Sequence, residues 1–233
     1  MFLRVSTILV PQGAEYKAVC QGLRRVPVAK PCVVPIPVGP VPLTRYLEKL
    51  RAQEKLTSHP QPQVLLLGLC GSLTAHHQVG DRILYQGCID GTRASPQEFK
   101  PCSPELTTLL HQALSITTAP ATALTSDRFI WSAAEKHQLS QHYAAQVIDM
   151  EGFAALEVLS QAGISVGMLR VVSDNCNHDL PDLNAALSLN GTLQPWPLTM
   201  GLLRQPVAAS RLIQGSLRGL QVLQELTTCL FTG

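Results

Sequence analysis

Charge is scarce in this sequence. Asp, Glu, Lys and Arg make up 15% of its 233 residues, against a usual share of about 25%. With 18 basic and 16 acidic side chains, the formal net charge is only +2. So small an excess does not imply a polyanion-binding surface, and nucleic acid is not expected as a partner. Few charges on a chain that is 45% apolar point instead to a homo-oligomer that hides part of its outside. No run reaches the ~18 uninterrupted apolar residues that a membrane span needs. There is no Cys-x-x-Cys pair, and seven cysteines cannot all pair within one chain, which points to a reducing, cytoplasmic compartment. The first residues, Met1 to Gly13, lack the basic run and small-residue cleavage site of a signal peptide. No nucleotide-type phosphate loop occurs, and no Ser or Cys has a convincing general base nearby in sequence. His76 and His77 are adjacent and point apart on most backbones, so a metal site is not expected.

What is present alternates. Short runs rich in Val, Ile and Leu read as strands buried on both faces, at residues 5–10, 32–38, 64–69, 121–125, 146–148 and 164–172, with Arg82 to Gln86 as one more. Helical patterns lie between them, at 14–23, 43–56, 104–114, 132–142 and 151–161. No Gly/Ser linker or repeat divides the chain. The expected fold class is α/β: a single three-layer domain over residues 1–233, with a mixed, mostly parallel central sheet flanked by helices. Residues 175–197 are polar and rich in Pro, Asn and Asp without a period, and read as a lid loop; within them Asn190-Gly191-Thr192 reads as a turn. Residues 198–231 return to a helical pattern broken at Pro206. Arg204, Arg211 and Arg218 recur every seven residues, which places them on one helical stripe. That stripe reads as a solvated or intersubunit face, with a membrane-surface or phosphate contact as the lesser alternative.

In an open α/β sheet, ligands bind beyond the carboxyl ends of the strands, so the residues that follow each strand are the candidates. They include Pro11 to Glu15, Gly68 to Ser72, Ser126 to Ile130, Asp149 to Gly152, and Ser173-Asp174. Each has a bland alternative. Gly68 and Gly71 serve any tight strand-to-loop turn. Glu151 at a helix start complements the dipole, Asp174 fits a cap or turn, and Phe129 suits a core. Carboxylates at these points are nonetheless costly to bury unless paired or working.

Taken together, Gly68-Leu69-Cys70-Gly71-Ser72-Leu73, Val79-Gly80-Asp81, Ser126-Asp127-Arg128-Phe129-Ile130, Ile148-Asp149-Met150-Glu151-Gly152 and Arg170-Val171-Val172-Ser173-Asp174 resemble an ordered motif series. It is that of the purine nucleoside phosphorylase and methylthioadenosine/S-adenosylhomocysteine nucleosidase superfamily, and it covers roughly residues 5–175. Beyond Asn177, the stretch from Ala186 to Leu220 resembles the hopanoid-associated phosphorylase branch.

The resemblance implies cleavage of the N-glycosidic bond of a small-molecule purine nucleoside, with adenine as the favoured base and no metal or organic cofactor. It implies Asp174 as the acid at the leaving base, oriented by Ser173, and Glu15 as the carboxylate that activates water. Glu151 would bind the ribose hydroxyls, Met150 would pack on the sugar, Phe129 would stack on the base and Ile130 would read its edge. Gly68, Gly71 and Arg170 complete the implied substrate-binding set. These roles suit the chemistry, because an oxocarbenium-like sugar and an anionic purine must both be stabilised. A free Asp has a pKa near 3.9, so Asp174 needs burial to hold a proton at neutral pH. Two positions depart from the pattern: Leu66 and Leu69 stand where phosphorylases keep a phosphate-binding Arg and Ser. Lys17, Arg24, Arg25, Arg45 and Arg128 are the other candidates to hold a phosphate co-substrate. Phosphorolysis and hydrolysis stay open, as does a non-catalytic storage or sensor module. The hopanoid branch further implies an apolar groove beside Leu202, Leu203, Leu212, Ile213 and Leu217.

Overall fold

The computed structural model describes residues 5–27, 30–53, 62–93, 98–114, 116, 118–188, 190–192 and 194–232. The strands are β1 (Thr7–Pro11), β2 (Cys32–Ile36), β3 (Gln63–Ser72), β4 (Arg82–Asp90), β5 (Phe99–Pro101), β6 (Ala121–Thr125), β7 (Val147–Asp149) and β8 (Ser165–Asp174). The helices are α1 (Ala14–Arg24), α2 (Pro40–Ala52), α3 (Pro104–Ala113), α4 (Ala133–Tyr143), α5 (Gly152–Gln161), α6 (Pro195–Arg204) and α7 (Pro206–Thr232). The strands form a mixed sheet flanked by helices in one α/β domain.

β1 lies between β2 and β3, parallel to both. β8 runs parallel to β3 and antiparallel to β4, β6 runs parallel to β4, and β7 runs parallel to β6. At its far end, β3 pairs a second time on the side of β1: Gly71 and Ser72 meet Ile148 and Val147 of β7, antiparallel. The sheet is therefore not open, as the sequence suggested, but closes as a ring through β3, β8, β4, β6 and β7. The ten-residue length of β3 makes this possible, because its first half serves β1 and its last two residues serve β7. Sheet twist carries the two ends of so long a strand to different neighbours.

Continuous apolar runs in the central strands follow from burial on both faces. Alternate residues of β1 and β3 feed two cores. Leu9 and Leu66 join Leu43, Leu47, Phe153 and Leu156 of α2 and α5. Ile8 and Leu65 join Val19, Leu23, Leu106 and Leu226 of α1, α3 and α7.

The element boundaries shift for identifiable reasons. α2 and α6 begin earlier than expected, at Pro40 and Pro195, because proline is tolerated in the first helical turn; the expected end of α2, at residues 54–56, lies outside the described residues. The break expected at Pro206 is there: α6 ends at Arg204 and Pro206 starts α7. β5 escaped detection because three residues are too few to show a period.

The stretch expected to be a lid is tied down on both sides. Asn184 accepts a hydrogen bond from Phe129 N (2.8 Å) and donates one to Phe129 O (3.0 Å). Gly191 O accepts from Gln12 Nε2 (3.1 Å) and from Val38 N (3.1 Å). Gly191 has φ +71°, and a Cβ there would lie 2.2 Å from Val38 O, so only glycine makes this turn. Of the side chains expected along an apolar groove, Leu203, Ile213 and Leu217 stand exposed, while Leu202 and Leu212 are half-buried.

α1 and α7 touch where Gly22 meets the backbone of α7. A Cβ on Gly22 would lie 2.5 Å from Gln224 O and 2.9 Å from Thr227 Cβ. Gly22→Leu is expected to push the helices apart and cost on the order of 1–3 kcal/mol, read as a lower urea midpoint. An unchanged midpoint would refute this close contact.

Candidate active site

β3 and β8 lie side by side in a register that sets Gly68 against Arg170 and, after a bulge between Cys70 and Gly71, Gly71 against Asp174. In a parallel pair, neighbouring residues share a face, so each glycine opens room for the side chain beside it. A Cβ on Gly68 would sit 2.3 Å from Arg170 Nη1 and 3.2 Å from Glu15 Oε1. A Cβ on Gly71 would sit 2.9 Å from Asp174 Oδ2. The missing side chain of Gly68 admits Arg170 and Glu15.

Two stations follow, one over each glycine. At the first, Arg170 is fully buried. Its Nη2 bonds Asp149 Oδ2 and Glu151 Oε2, each at 3.1 Å. Burial works against the charge of Arg170, but Asp149 and Glu151 beside it outweigh that and hold its pKa above the ordinary value. Arg170 is therefore the buried counter-charge of the carboxylates. Its Nε and Nη1 have no hydrogen-bond partner among the described residues.

Glu151 Oε1 also accepts from Gly39 N at 3.3 Å. Burial raises its pKa, against the opposing pull of Arg170. Glu151 stands at the N-cap of α5 but makes no side-chain capping bond to it. That cap is built by others: Gly152 N donates to Asp149 Oδ1 (3.1 Å), Phe153 N donates to Thr125 Oγ1 (2.8 Å), and Thr125 Oγ1 donates to Asp149 Oδ1 (2.8 Å).

Glu15 sits in the first turn of α1, delivered by the Gln12-Gly13 turn after β1. Its Oε1 accepts from Leu69 N at 2.5 Å. Desolvation in this crowd, with Glu151 adding repulsion and Arg170 only partly offsetting it, pushes its pKa up to about 8.

The second station is Asp174. Ser173 Oγ donates to its Oδ1 at 2.9 Å, and Lys136 Nζ pairs with its Oδ2. Lys136 also donates to Asn175 O at 3.1 Å. The burial that Asp174 needs is there, but so is a cation that no motif announced. Lys136 is the one buried residue of α4. A faint signal existed: Leu139 and Tyr143, three and seven positions after Lys136 on the same side of α4, pack against the core. Beside Asp174, a small cavity is lined by Gly71, Phe129, Ile130 and Met150.

The positions that depart from the phosphorylase pattern are taken up elsewhere. Leu66 is core, and Leu69 packs towards α7, where a Cβ on Gly219 would lie 2.9 Å from Leu69 Cδ2. Lys17, Arg24, Arg25 and Arg45 are exposed, and Arg128 is paired with Glu135. Among the described residues, no group of three or more His, Cys, Asp or Glu side chains converges as a metal site would.

Carboxylates gathered at strand ends of a mixed sheet, one set around a buried guanidinium and one beside a small cavity, define an α/β protein with a polar pocket at its strand ends. More particularly, the chain belongs to the phosphorylase superfamily, whose signature matches residues 11–190. No curated protein sequence matches it. Among solved structures, futalosine hydrolase of Helicobacter pylori is similar at TM-score 0.65 and 17% identity, over 94% of this chain and 95% of that one. The 5′-methylthioadenosine/S-adenosylhomocysteine nucleosidase of Helicobacter pylori is similar at TM-score 0.65 and 17% identity, over 97% of this chain and 98% of that one. At such identities these likenesses establish the shared fold.

A carboxyl whose folded pKa lies above its unfolded one keeps a proton that the unfolded chain has lost. Glu15 does so between its ordinary 4.5 and about 8, so its contribution to stability falls as pH rises through that window. Glu15→Gln is expected to flatten the decline in urea midpoint between pH 5 and pH 8, and to exceed the parent in stability at pH 8. A parental slope in the variant would show that the carboxylate is not buried as described.

Proposed function

We propose that this chain hydrolyses the N-glycosidic bond of a purine nucleoside, with adenine as the favoured base. The observation that carries the reading is the two sets of carboxylates over neighbouring glycines of β3, Glu15 and Glu151 with Arg170 beside Gly68 and Asp174 beside Gly71. A small cavity lined by Gly71, Phe129, Ile130, Met150 and Asp174 lies next to the second. An acid at the leaving base and a base at the attacking water are the two carboxylates that hydrolysis of a glycosidic bond calls for. The hydrolase and nucleosidase names of the similar structures support the same reading.

Each residue then has one task. Glu15 takes a proton from the attacking water, which the buried and otherwise unpartnered Nη1 of Arg170 orients. Glu151 accepts from the ribose hydroxyls, and Met150 lies against the sugar. Phe129 and Ile130 hold the base. As the C–N bond breaks, the electron pair moves onto the purine, and Asp174 delivers a proton there. A carboxylate bonded to an ammonium is an acceptor rather than a donor, so the proton that leaves Asp174 is drawn from the Lys136–Asp174 pair as a unit. Lys136 is then reprotonated as the proton taken by Glu15 returns through solvent.

Water fits this site better than phosphate. Glu15, Glu151 and Asp149 already surround the single guanidinium of Arg170, and a phosphate dianion brought among them would meet repulsion strengthened by burial. The cytoplasmic homo-oligomer expected from composition belongs to this proposal. The exposed Val41 and Phe99 support an interface, and among the described residues no helix is long and apolar enough to cross a membrane.

Incubation with adenosine, inosine and methylthioadenosine, with and without phosphate, is expected to release base and free sugar regardless of phosphate. Sugar 1-phosphate would mean phosphorolysis, and no base release from any nucleoside would favour a binding module. Asp174→Asn is expected to lower kcat by about 10²–10⁴-fold with binding retained; parental turnover would overturn the assigned acid. Lys136→Met is expected to lower kcat by roughly tenfold or more while KM moves little, and a pure KM effect would remove it from the proton path. As Glu15 must be ionised to act, kcat/KM is expected to rise with pH towards about 8 and to lose that rise in Glu15→Gln.

A further inference from the structure

α6 and the first half of α7 carry an apolar face that nothing in the described chain covers. Trp196, Met200 and Leu203 recur at i, i+4 and i+7, so they form one stripe along α6. Trp196 is 75% exposed and Leu203 69% exposed. Val207 continues the surface past the break at Gln205, and Ile213 and Leu217 stand out from α7. A stripe at this spacing normally marks the side that a helix turns to the core. Here the close contact with the domain is made elsewhere on α6, where a Cβ on Gly201 would lie 2.9 Å from Leu183 Cδ2.

The charges on this face have one sign. From Leu183 to Gln224 the sequence contains no Asp or Glu, while Arg204, Arg211 and Arg218 are all exposed. Among the described residues none of the three arginines makes a salt bridge. This is the surface of an amphipathic helix that lies in a membrane interface: a tryptophan and large aliphatic side chains flanked only by basic residues. A second copy of the chain fits it less well. A two-fold contact sets a patch against itself, and the segment Leu183 to Gln224 offers no acid of its own to meet Arg204, Arg211 and Arg218. An anionic bilayer supplies both an apolar medium for the stripe and phosphates for the guanidiniums.

We propose that the α6–α7 face docks this protein reversibly on the surface of anionic lipid bilayers, without crossing them. The inference is independent of the reaction proposed above, because it uses none of its residues.

Co-sedimentation of the purified protein tests it, with phosphatidylcholine vesicles against vesicles in which a third of the lipid is phosphatidylglycerol. Binding to the anionic vesicles is expected to be at least tenfold tighter, to weaken at high salt, and to shift the Trp196 emission to the blue, a shift absent in Trp196→Phe. Leu203→Glu is expected to lower vesicle affinity at least tenfold. Replacing Arg204, Arg211 and Arg218 by Gln is expected to abolish the preference for anionic lipid. All these side chains are exposed, so parental circular dichroism is expected in each variant and separates lost docking from lost folding. Protein that stays in the supernatant with anionic vesicles at low salt would overturn the proposal. So would undiminished binding by Leu203→Glu, or a finding that Leu203→Glu splits an oligomer of a parent that binds no vesicles.

Discussion

The architecture of the site depends on one buried cation. Arg170 lies in the middle of β8, fully enclosed, and its Nη2 holds Asp149 and Glu151 at once. Those two carboxylates come from the β7-to-α5 junction, so the guanidinium joins a central strand to the start of a helix across the sheet. Removing it would strand two buried carboxylates, which is far costlier than losing a surface pair. The arrangement fixes the conformation of the junction. Asp149 is turned to cap α5 with the help of Thr125, which leaves Glu151 free of capping duty and aimed into the site. A buried ion pair is a weak source of net stability, so its evident product here is geometry.

The two glycines of β3 make the same point by absence. The strand must present an empty position wherever β8 presents a functional side chain, and the register puts Gly68 beside Arg170 and Gly71 beside Asp174. The bulge between them keeps the second match in step, because parallel strands without it would offer Asp174 a different neighbour. The ring closure of the sheet then brings Ile148 of β7 next to Gly71, so the wall of the small cavity and the Asp174 carboxylate meet at one point. The stretch that follows Asp174 is held by Asn184 to Phe129 and by Gly191 to Gln12, which ties it to the segments that directly follow β6 and β1.

Much of this was legible in the sequence, and the reasons differ from element to element. Val64 to Leu69 reads as a buried strand because burial on both faces demands continuous apolarity. Gly13, Glu15, Glu151 and Asp174 stand out because polar and flexible residues directly after such runs have few structural excuses. The ordered motifs are a local pattern, and local patterns survive in one dimension. The helix starts at Pro40 and Pro195 were misread because a proline in the first turn looks like a break when only periodicity is followed.

What the sequence by itself determined is the α/β class, the succession of strands and helices, and the short list of residues at strand ends. The tertiary structure alone decided what those residues face. Lys136 is 38 positions from Asp174; Leu139 and Tyr143 mark the inward side of its helix, but only packing shows that its ammonium reaches the Asp174 carboxylate. Arg170 is likewise no more than a basic residue in an apolar strand until Asp149, Glu151 and Glu15 are brought around it. The exposed stripe of Trp196, Met200 and Leu203 carries the spacing of a core face, and nothing in one dimension says that the core lies on the other side. Periodicity records which residues share a face of an element. Which charge or solvent that face meets is set by long-range contacts that the chain closes only on folding.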